Sequence, residues 1–311
     1  MKASVMALVF ANGKVIIYLE QRPNPLIATI LVGKPKEKTL NNWTLTNTIS
    51  FDGRTVKYDS KGEGEPLIIV HGTPWSSYNM RHLIDGLARH YKVYFFDLLG
   101  YGESDKSDAD VSLGVQNRLL AALIQHWGLE RPFIVGHDFG GTTVLRSHIL
   151  NQCQYKKMVV IDPVALSPWG SPFFKHIEQH ETAFSGVPDY IHTAIVEAYV
   201  KTAAYQALPQ STLDGILKPW SGEVGKKAFY RQIAQADSKF TDEFQHRFDE
   251  VKAPTLILWG EKDTWIPCEQ AYLLKGKIKG SQLVTIPRSG HLVIEEEPSQ
   301  LIHEIDEFFR Q

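Results

Sequence analysis

The sequence lacks the features that mark several large classes of protein. Its 311 residues include only 2 cysteines, Cys153 and Cys268, too few for a disulfide framework and without the spacing of a metal site. The 33 basic and 35 acidic residues leave a net charge of -2, which argues against a surface for nucleic acid or for anionic membranes. No apolar run approaches the roughly 20 residues of a membrane-spanning helix. These absences favour a cytoplasmic protein with reduced thiols.

The first 40 residues differ from the rest of the chain. An Asn-Gly pair at 12–13 lies between apolar runs at 5–10 and 15–19, which is typical of a tight β-hairpin. The first run is too short for a secretory signal, and no small-residue cleavage pattern follows it. Residues 21–38 contain several prolines and predict a linker. We therefore predict an N-terminal accessory hairpin and linker over residues 1–40, of unassigned role.

From residue 41 onward, short apolar runs alternate with helical periods. These runs have the length and composition of strands buried on both faces of a sheet. They lie at 67–70, 93–96, 133–135, 158–161, 255–258 and 283–286. Between two of them, Ser112 precedes apolar residues at three- and four-residue spacing, which predicts a helix that ends at Gly128. The alternation predicts an α/β fold with a mainly parallel central sheet and helices on both faces.

The alternation stops between residues 166 and 247. This stretch is rich in aromatic residues and histidine, has no clear strand, and is broken repeatedly by proline. It predicts several short helices that form a cap. The core would then consist of residues 41–165 and 248–311, with the cap inserted between two of its strands.

Residues 136–141, Gly-His-Asp-Phe-Gly-Gly, are the most informative segment of the chain. They follow an apolar strand and precede a helix, and a polar residue flanked by glycines in that position indicates a nucleophile elbow. The residue at the reactive position is Asp138. A carboxylate is already charged, so it can displace a leaving group from saturated carbon without a base. The alternative interpretation is that Asp138 only caps the helix.

Other polar residues also follow predicted strands. In the Val-His-Gly-Thr-Pro segment at 70–74, the backbone N–H of Thr73 can join that of Phe139 in holding an oxyanion or a carboxylate. Asp263 follows a later strand and His291 the last one, so the carboxylate can orient the imidazole as a base. The order nucleophile, acid, histidine is that of the α/β-hydrolase fold.

From about Trp43 to its end, the chain resembles the α/β-hydrolase superfamily, specifically the branch of haloalkane dehalogenases and epoxide hydrolases. The matching segments are residues 71–74, 97–106, 136–141, 260–263 and 290–291. The resemblance implies that Asp138 forms an alkyl-enzyme ester and that His291, held by Asp263, activates the water that hydrolyses it. It implies no metal or organic cofactor. Asp162 occupies the other position at which some dehalogenases keep the triad acid, and it remains an alternative to Asp263.

The leaving group is less clearly indicated. Haloalkane dehalogenases usually have Trp directly after the nucleophile and often Asn in the loop of the first motif, whereas this chain has Phe139 and Thr73. Two halide donors of that pattern are therefore replaced. The indole N–H groups that remain as candidates belong to Trp75, Trp169 and Trp220.

Epoxide hydrolases use cap tyrosines that donate to the opening ring oxygen. Residues 228–232, Ala-Phe-Tyr-Arg-Gln, resemble the segment that carries one of them, so Tyr230 is the predicted donor. Tyr190, Tyr199 and Tyr205 are candidates for the second. We predict an epoxide hydrolase, with a haloalkane dehalogenase as the near alternative and an esterase, a lactonase or a non-catalytic ligand receptor as more distant ones. The expected partners are water and a small, neutral, mainly apolar substrate, and a homodimer is left open.

Overall fold

The computed structural model describes residues 5–11, 14–19, 26–30 and 43–311. The chain divides into two compact units, Met1–Trp43 and Thr44–Gln311. In the described part of the first unit, three antiparallel strands form a sheet in the order β1-β2-β3. Their bounds are β1 (Val5–Ala11), β2 (Lys14–Leu19) and β3 (Leu26–Ile30).

The pairing in this first sheet bears on two predictions. Ala11 lies opposite Lys14, which is the register that the predicted hairpin requires, while its turn at 12–13 lies outside the described residues. The structure differs from the linker prediction at Leu26–Ile30, which is a strand. That stretch is apolar, partly β-branched and free of proline, and these properties allow it to pair with β2 although prolines precede and follow it.

The second unit is built on an eight-stranded sheet in the order β11-β10-β9-β8-β6-β7-β5-β4. The strands from β6 to β11 are parallel to one another, and β4 and β5 form an antiparallel hairpin at one edge. The bounds are β4 (Asn47–Phe51), β5 (Arg54–Lys61), β6 (Glu65–Val70), β7 (Tyr91–Phe96), β8 (Phe133–His137), β9 (Met158–Ile161), β10 (Thr255–Gly260) and β11 (Gln282–Ile286). This sheet confirms the predicted α/β fold, and each predicted strand is present. The run at 283–286 is not buried on both faces as predicted, because β11 lies at the edge of the sheet and is only partly covered.

Within residues 44–311, six α-helices outside the segment between β9 and β10 accompany the sheet. Their bounds are α1 (Arg81–Leu87), α2 (Leu113–His126), α3 (Phe139–Leu150), α9 (Glu269–Lys277), α10 (Val293–Glu296) and α11 (Pro298–Arg310). The helix predicted after Ser112 is α2, and Gly128 just beyond it has a φ of 65°, a conformation that suits glycine at the end of a helix. Every residue of β8 and β9 is buried, so the core lies at the middle of the sheet.

Between β9 and β10 the chain forms the helical insertion, which we define as residues 172–250. It contains α4 (Pro172–Ser185), α5 (Asp189–Lys201), α6 (Gln210–Leu217), α7 (Gly222–Ala234) and α8 (Lys239–Asp242), with shorter 3-10 helices at Lys218–Trp220 and Gln245–Glu250. Its amphipathic helices pack on one another, with α4 against α7, and on the loops at the carboxyl edge of the sheet. Within the described ranges, no helix combines the length and apolar character needed to cross a membrane.

Candidate active site

Asp138 occupies a strained turn between β8 and α3. Its φ of 54° and ψ of -122° are rare for a residue with a side chain, and such a conformation costs about 1 to 3 kcal/mol. The turn is tight because α3 starts at the next residue, and a Cβ at Gly140 would collide with the carbonyl oxygen of Val70. Only glycine therefore allows the helix to pass this close to β6. The result is the predicted nucleophile elbow, with Asp138 presented at the carboxyl edge of the sheet.

One oxygen of the Asp138 carboxylate is held by the loop after β6. The backbone N–H of Thr73 donates to Oδ1 over 2.6 Å, as the sequence predicts. His71 secures this loop, because its Nε2 accepts a hydrogen bond of 2.9 Å from the N–H of Leu98 and its Nδ1 bonds the carbonyl of Gly72 at 2.8 Å. Oδ1 thus lies where an oxyanion would be stabilised.

The other oxygen of Asp138 faces His291, whose side chain is buried. Nε2 of His291 lies 3.2 Å from Oδ2 of Asp138, and Nδ1 of His291 is hydrogen-bonded to Oδ2 of Asp263 at 2.8 Å. The contact with Asp138 does not have the geometry of a hydrogen bond. Nε2 is therefore free to exchange a proton with another partner. The structure thus brings the three predicted triad residues together, with Asp263 rather than Asp162 on the imidazole.

The electrostatics of His291 depend on both carboxylates. Burial by itself would lower the pKa of His291, but the negative charges of Asp263 and Asp138 outweigh it and raise that pKa well above its ordinary value. The two carboxylates therefore favour the protonated form of the imidazole. The neighbouring His137 behaves differently, because burial and the charge of His291 lower its pKa to about 4, and it bonds the backbone carbonyl of His291 at 2.8 Å.

Asp263 is fixed by the turn that follows it. Its Oδ1 accepts the backbone N–H groups of Trp265 at 2.7 Å and Ile266 at 2.9 Å, which leaves Oδ2 for His291. Asp162 lies next to this pair. One of its carboxylate oxygens is within 4.8 Å of a carboxylate oxygen of Asp263 and of a ring nitrogen of His291. These three residues are of types that can bind a metal ion. Asp263 and His291 are, however, already hydrogen-bonded to each other at 2.8 Å.

Trp265 was not predicted to belong to the site. Its ring lies stacked near His291, at 5.0 Å between centroids and 29° between planes, and on Tyr199 of α5 at 4.4 Å and 19°. Its Nε1–H donates to Oγ1 of Thr202 over 2.9 Å. Trp265 therefore connects His291 to the helical insertion. The available sequence signal was its position two residues after the triad acid, where backbone N–H groups often bond an Asp side chain.

A cavity of about 880 Å³ opens onto Asp138. The helical insertion and the loops after β9 and β10 form its walls, and Asp138 is the only acidic or basic residue among those that line it. The aromatic residues of the lining are Phe139, Trp169, Phe173, Phe174, Tyr199, Trp259 and Trp265. This composition suits a neutral ligand with a large apolar or aromatic part.

Two predicted substrate contacts are placed elsewhere. Tyr230 is fully buried within the helical insertion, where its hydroxyl bonds Nδ1 of His192 at 3.0 Å, and it does not line the cavity. Trp75 is buried too and lies outside the lining, with its ring stacked near Trp265 at 5.6 Å. Trp169 does line the cavity, in edge contact with Phe139. The ring of Phe139 thus forms cavity wall, whereas the role predicted for its backbone N–H stays a prediction.

Among the other tyrosine candidates, Tyr199 is the one that lines the cavity. Tyr190 and Tyr205 are 74% and 53% exposed and do not belong to its lining. Desolvation, followed by the charge of Asp138, raises the pKa of Tyr199 well above its ordinary value, so the phenol keeps its proton at neutral and moderately alkaline pH.

Behind the nucleophile, Gln232 joins the insertion to the core. Its Oε1 accepts hydrogen bonds from Oγ1 of Thr73 at 2.5 Å and from the hydroxyl of Tyr101 at 3.0 Å. Gln232 lies two residues after Tyr230, in the same predicted segment. The segment therefore does reach the site, but through its amide and not through its phenol.

The sheet, the elbow and the hydrogen-bonded acid and base together define an α/β hydrolase. The comparison with known proteins agrees, because the model of the alpha/beta hydrolase family matches residues 67–304, which is most of the chain. The chain belongs to the alpha/beta hydrolase family, and it is an enzyme of that family.

Two curated relatives illustrate its place in the family. The chain is 26% identical over 277 residues to an uncharacterized hydrolase, YugF, of Bacillus subtilis, covering 84% of this chain and 96% of the relative. It is 25% identical over 258 residues to a 2-hydroxy-6-oxo-6-(2'-aminophenyl)hexa-2,4-dienoic acid hydrolase of Metapseudomonas resinovorans, covering 80% and 86%.

Solved structures show the same fold. An alpha/beta hydrolase fold protein from Burkholderia ambifaria is 44% identical, with a TM-score of 0.83 over 85% of this chain and 97% of its own. The epoxide hydrolase CorEH is 20% identical with a TM-score of 0.69, over 85% and 98% of the two chains. The haloalkane dehalogenase DatA of Agrobacterium tumefaciens is 20% identical with a TM-score of 0.70, over 85% and 96%. At that identity, the last two show the fold alone.

Proposed function

We propose that this hydrolase opens neutral epoxides through an alkyl-enzyme ester on Asp138. The observation that carries the proposal is the asymmetric environment of the Asp138 carboxylate. Its Oδ1 is fixed at 2.6 Å by the N–H of Thr73, while Oδ2 lies next to His291 and the residue opens onto the cavity. Fixing one oxygen orients the other for attack on a bound electrophile.

The carboxylate nucleophile supports saturated carbon as the point of attack. An aspartate that attacks an acyl carbon forms an anhydride, whereas attack on sp³ carbon forms an ester that water can hydrolyse. In the first step Oδ2 bonds the ring carbon while the ring C–O bond breaks. The developing alkoxide then requires a proton donor.

Tyr199 is the proposed donor in this first step. It is the tyrosine that lines the cavity, and its raised pKa keeps the phenol protonated beside the negative charge of Asp138. Because a phenol is a neutral O–H donor, it can stabilise an alkoxide without pairing with the carboxylate beforehand. This assignment replaces Tyr230 in the proposal.

His291 acts in the second step. Esterification removes the charge of Asp138, one of the causes that raise the pKa of His291, so the imidazole loses protons more readily at this stage. Neutral His291 then takes a proton from water, and the oxygen of that water bonds Cγ of Asp138. The N–H of Thr73 stabilises the oxyanion on Oδ1, and the Cγ–Oδ2 bond breaks. The second proton of the water passes to Oδ2, so the product leaves as a diol that carries Oδ2 and the carboxylate of Asp138 is restored.

The cavity supports a larger substrate than the small one predicted from sequence. Its volume of about 880 Å³ lies near the upper end of the range of roughly 300 to 1,000 Å³ for ligand pockets. The lining is aromatic and has no charged group besides Asp138. We therefore propose neutral epoxides with an aryl or bulky alkyl substituent, and we expect carboxylate-bearing epoxides to be excluded by repulsion from Asp138.

Halide release is less well supported by the indoles of the cavity. The Nε1–H groups of Trp169, Trp259 and Trp265 donate to Thr241, Ile266 and Thr202, respectively. Trp220 donates to the carbonyl of Pro74. These donors are already used within the protein, so a departing halide would have to displace a protein acceptor. The Nε1–H of Trp75 has no partner among the described residues, but Trp75 lies outside the cavity lining.

The path of oxygen tests the mechanism. Purified enzyme in excess over an aryl epoxide would be allowed a single turnover in ¹⁸O-labelled water. The scheme requires an unlabelled diol and ¹⁸O in the peptide that contains Asp138. A labelled diol with unlabelled Asp138 would mean direct attack by water and would contradict the covalent step. A parallel assay with a bromoalkane separates the two leaving groups.

A further inference from the structure

Asp162 is a buried carboxyl group that the proposed mechanism does not use. It follows β9, has a φ of 42°, and its side chain is completely buried. Oδ1 accepts the backbone N–H of Gly260 over 2.9 Å. Oδ2 has no hydrogen-bond partner among the described residues, although it is enclosed by protein. A carboxylate oxygen without a donor is unfavourable in such a place.

The polar groups around Asp162 are poor partners for an anion. Oxygen of Asp263 and nitrogen of His291 both lie within 4.8 Å of it, and the Cys268 thiol is the further titratable group that senses its charge. Oδ1 of Asp263 already accepts two N–H groups and Oδ2 accepts from His291. The single imidazole is therefore committed to Asp263, and in the described chain no lysine or arginine forms an ion pair with Asp162.

Counting charges gives the same result. The carboxylates of Asp138 and Asp263 both face a single imidazole, that of His291, within a buried site. An ionised Asp162 would add an anion with no cation to balance it. A proton on Asp162 removes that charge and also turns its unpartnered oxygen into a donor toward Asp263. Burial foremost, and then the negative charge of Asp263, raise the pKa of Asp162 well above its ordinary value, in agreement with this count.

We propose that Asp162 is a neutral carboxylic acid at neutral pH and that its proton is hydrogen-bonded to the Asp263 carboxylate. It is then a positioning residue, which acts on the reaction only through Asp263. Its hydrogen bond fixes the Asp263 carboxylate, and its neutrality avoids a third negative charge beside an imidazole that already faces Asp138 and Asp263. The protonation does not depend on the proposed function, whereas its effect on turnover does.

Infrared spectroscopy tests the protonation without substrate. The full-length protein would be labelled with ¹³C at its aspartate carboxyl groups, which separates their C=O bands from those of glutamates. We expect the band of a protonated carboxyl group at neutral pH in the wild type, its loss in Asp162→Asn, and its persistence in Asp214→Asn, an exposed control on α6. A wild type without this band, or a band that survives in Asp162→Asn, would overturn the proposal. If Asp162→Asn does not fold, Asp162→Ser takes its place.

Kinetics on an accepted epoxide test the positioning role. Asp162→Asn keeps an acceptor for Gly260 and a donor toward Asp263, so we expect its kcat within about threefold of wild type. Asp162→Leu removes both, and we expect at least about a tenfold loss of kcat with little change in KM. Asp162→Asn should also leave the pH profile of kcat unchanged, while Asp162→Leu shifts it. A folded Asp162→Asn as inactive as Asp263→Asn would show that an ionised Asp162 is required, and would overturn the proposal.

Discussion

The indole of Trp265 lies beside the imidazole of His291, with centroids 5.0 Å apart and planes inclined by 29°. This contact places an electron-rich ring against the imidazole whose protonated form the neighbouring carboxylates favour. The same residue donates its backbone N–H to Asp263, so it supports the acid and the base at once. An imidazolium that forms while His291 accepts a proton from water is stabilised by such a ring.

Trp265→Leu should slow turnover. Losing an aromatic face against a desolvated cation removes about 1 to 2 kcal/mol, or about 5- to 30-fold in kcat. Trp265→Phe keeps a ring and should lose less. Steady-state assays of both variants check this, with Trp169→Leu as a control, because Trp169 lines the same cavity and is not in ring contact with His291. A kcat for Trp265→Leu within twofold of wild type would contradict the role.

His291→Gln should trap the ester. Attack by Asp138 needs no base, whereas hydrolysis of the ester does, so the variant should gain the mass of one substrate molecule. Intact-protein mass spectrometry after addition of an aryl epoxide is the measurement. The double variant Asp138→Asn/His291→Gln is the control and should gain nothing. An unmodified His291→Gln that also leaves the substrate unconsumed would refute the two-step scheme.

Tyr199→Phe and Tyr230→Phe form a matched pair. If Tyr199 donates to the opening ring, its loss should cost about 2.7 to 4 kcal/mol, which is about 10² to 10³ in epoxide turnover. Tyr230 pairs with His192 away from the cavity, so its variant should stay within about threefold. If the two variants have comparable kcat values, Tyr199 is not the donor. If Tyr230→Phe loses more activity than Tyr199→Phe, the donor is Tyr230, as predicted from sequence.

The stability of Asp162→Asn should depend less on pH than that of the wild type. The folded-state pKa of Asp162 is raised, so the folded protein keeps a proton that the unfolded chain releases. The contribution of Asp162 to the free energy of unfolding is greatest at pH values below its pKa in the unfolded chain. It decreases as pH rises toward its pKa in the folded protein, by up to about 1.4 kcal/mol per pH unit. Urea unfolding of both proteins from acid to neutral pH measures the difference. Parallel curves would contradict the raised pKa.

Much of the site could be predicted because its chemistry depends on local sequence. The elbow requires glycine where α3 passes β6, and the triad residues follow strands whose carboxyl ends meet at one edge of the sheet. Both constraints are visible in the amino-acid sequence. They identified Asp138, Asp263 and His291, and the structure places these three in contact.

The donor tyrosine could not be predicted in the same way. Tyr199 on α5 and Tyr230 on α7 lie on amphipathic helices that bury one face, and the sequence does not say whether a buried face meets other helices or a cavity. The outcome depends on how α4, α5 and α7 pack together. His192 on α5 is hydrogen-bonded to the hydroxyl of Tyr230, whereas Tyr199, two turns further along the same helix, lines the cavity that opens onto Asp138.

The helical insertion lies between two neighbouring strands of the sheet and supplies Phe173, Phe174, Ile195, Ala198, Tyr199 and Thr202 to the cavity lining. The triad, by contrast, stands on the loops after β8, β10 and β11. The two parts therefore have separate mutational freedom. Residues such as Ile195 and Ala198 can vary in bulk without touching the Asp138, Asp263 and His291 contacts, so selection, natural or in the laboratory, can reshape which molecules enter while the bond-making apparatus is inherited unchanged.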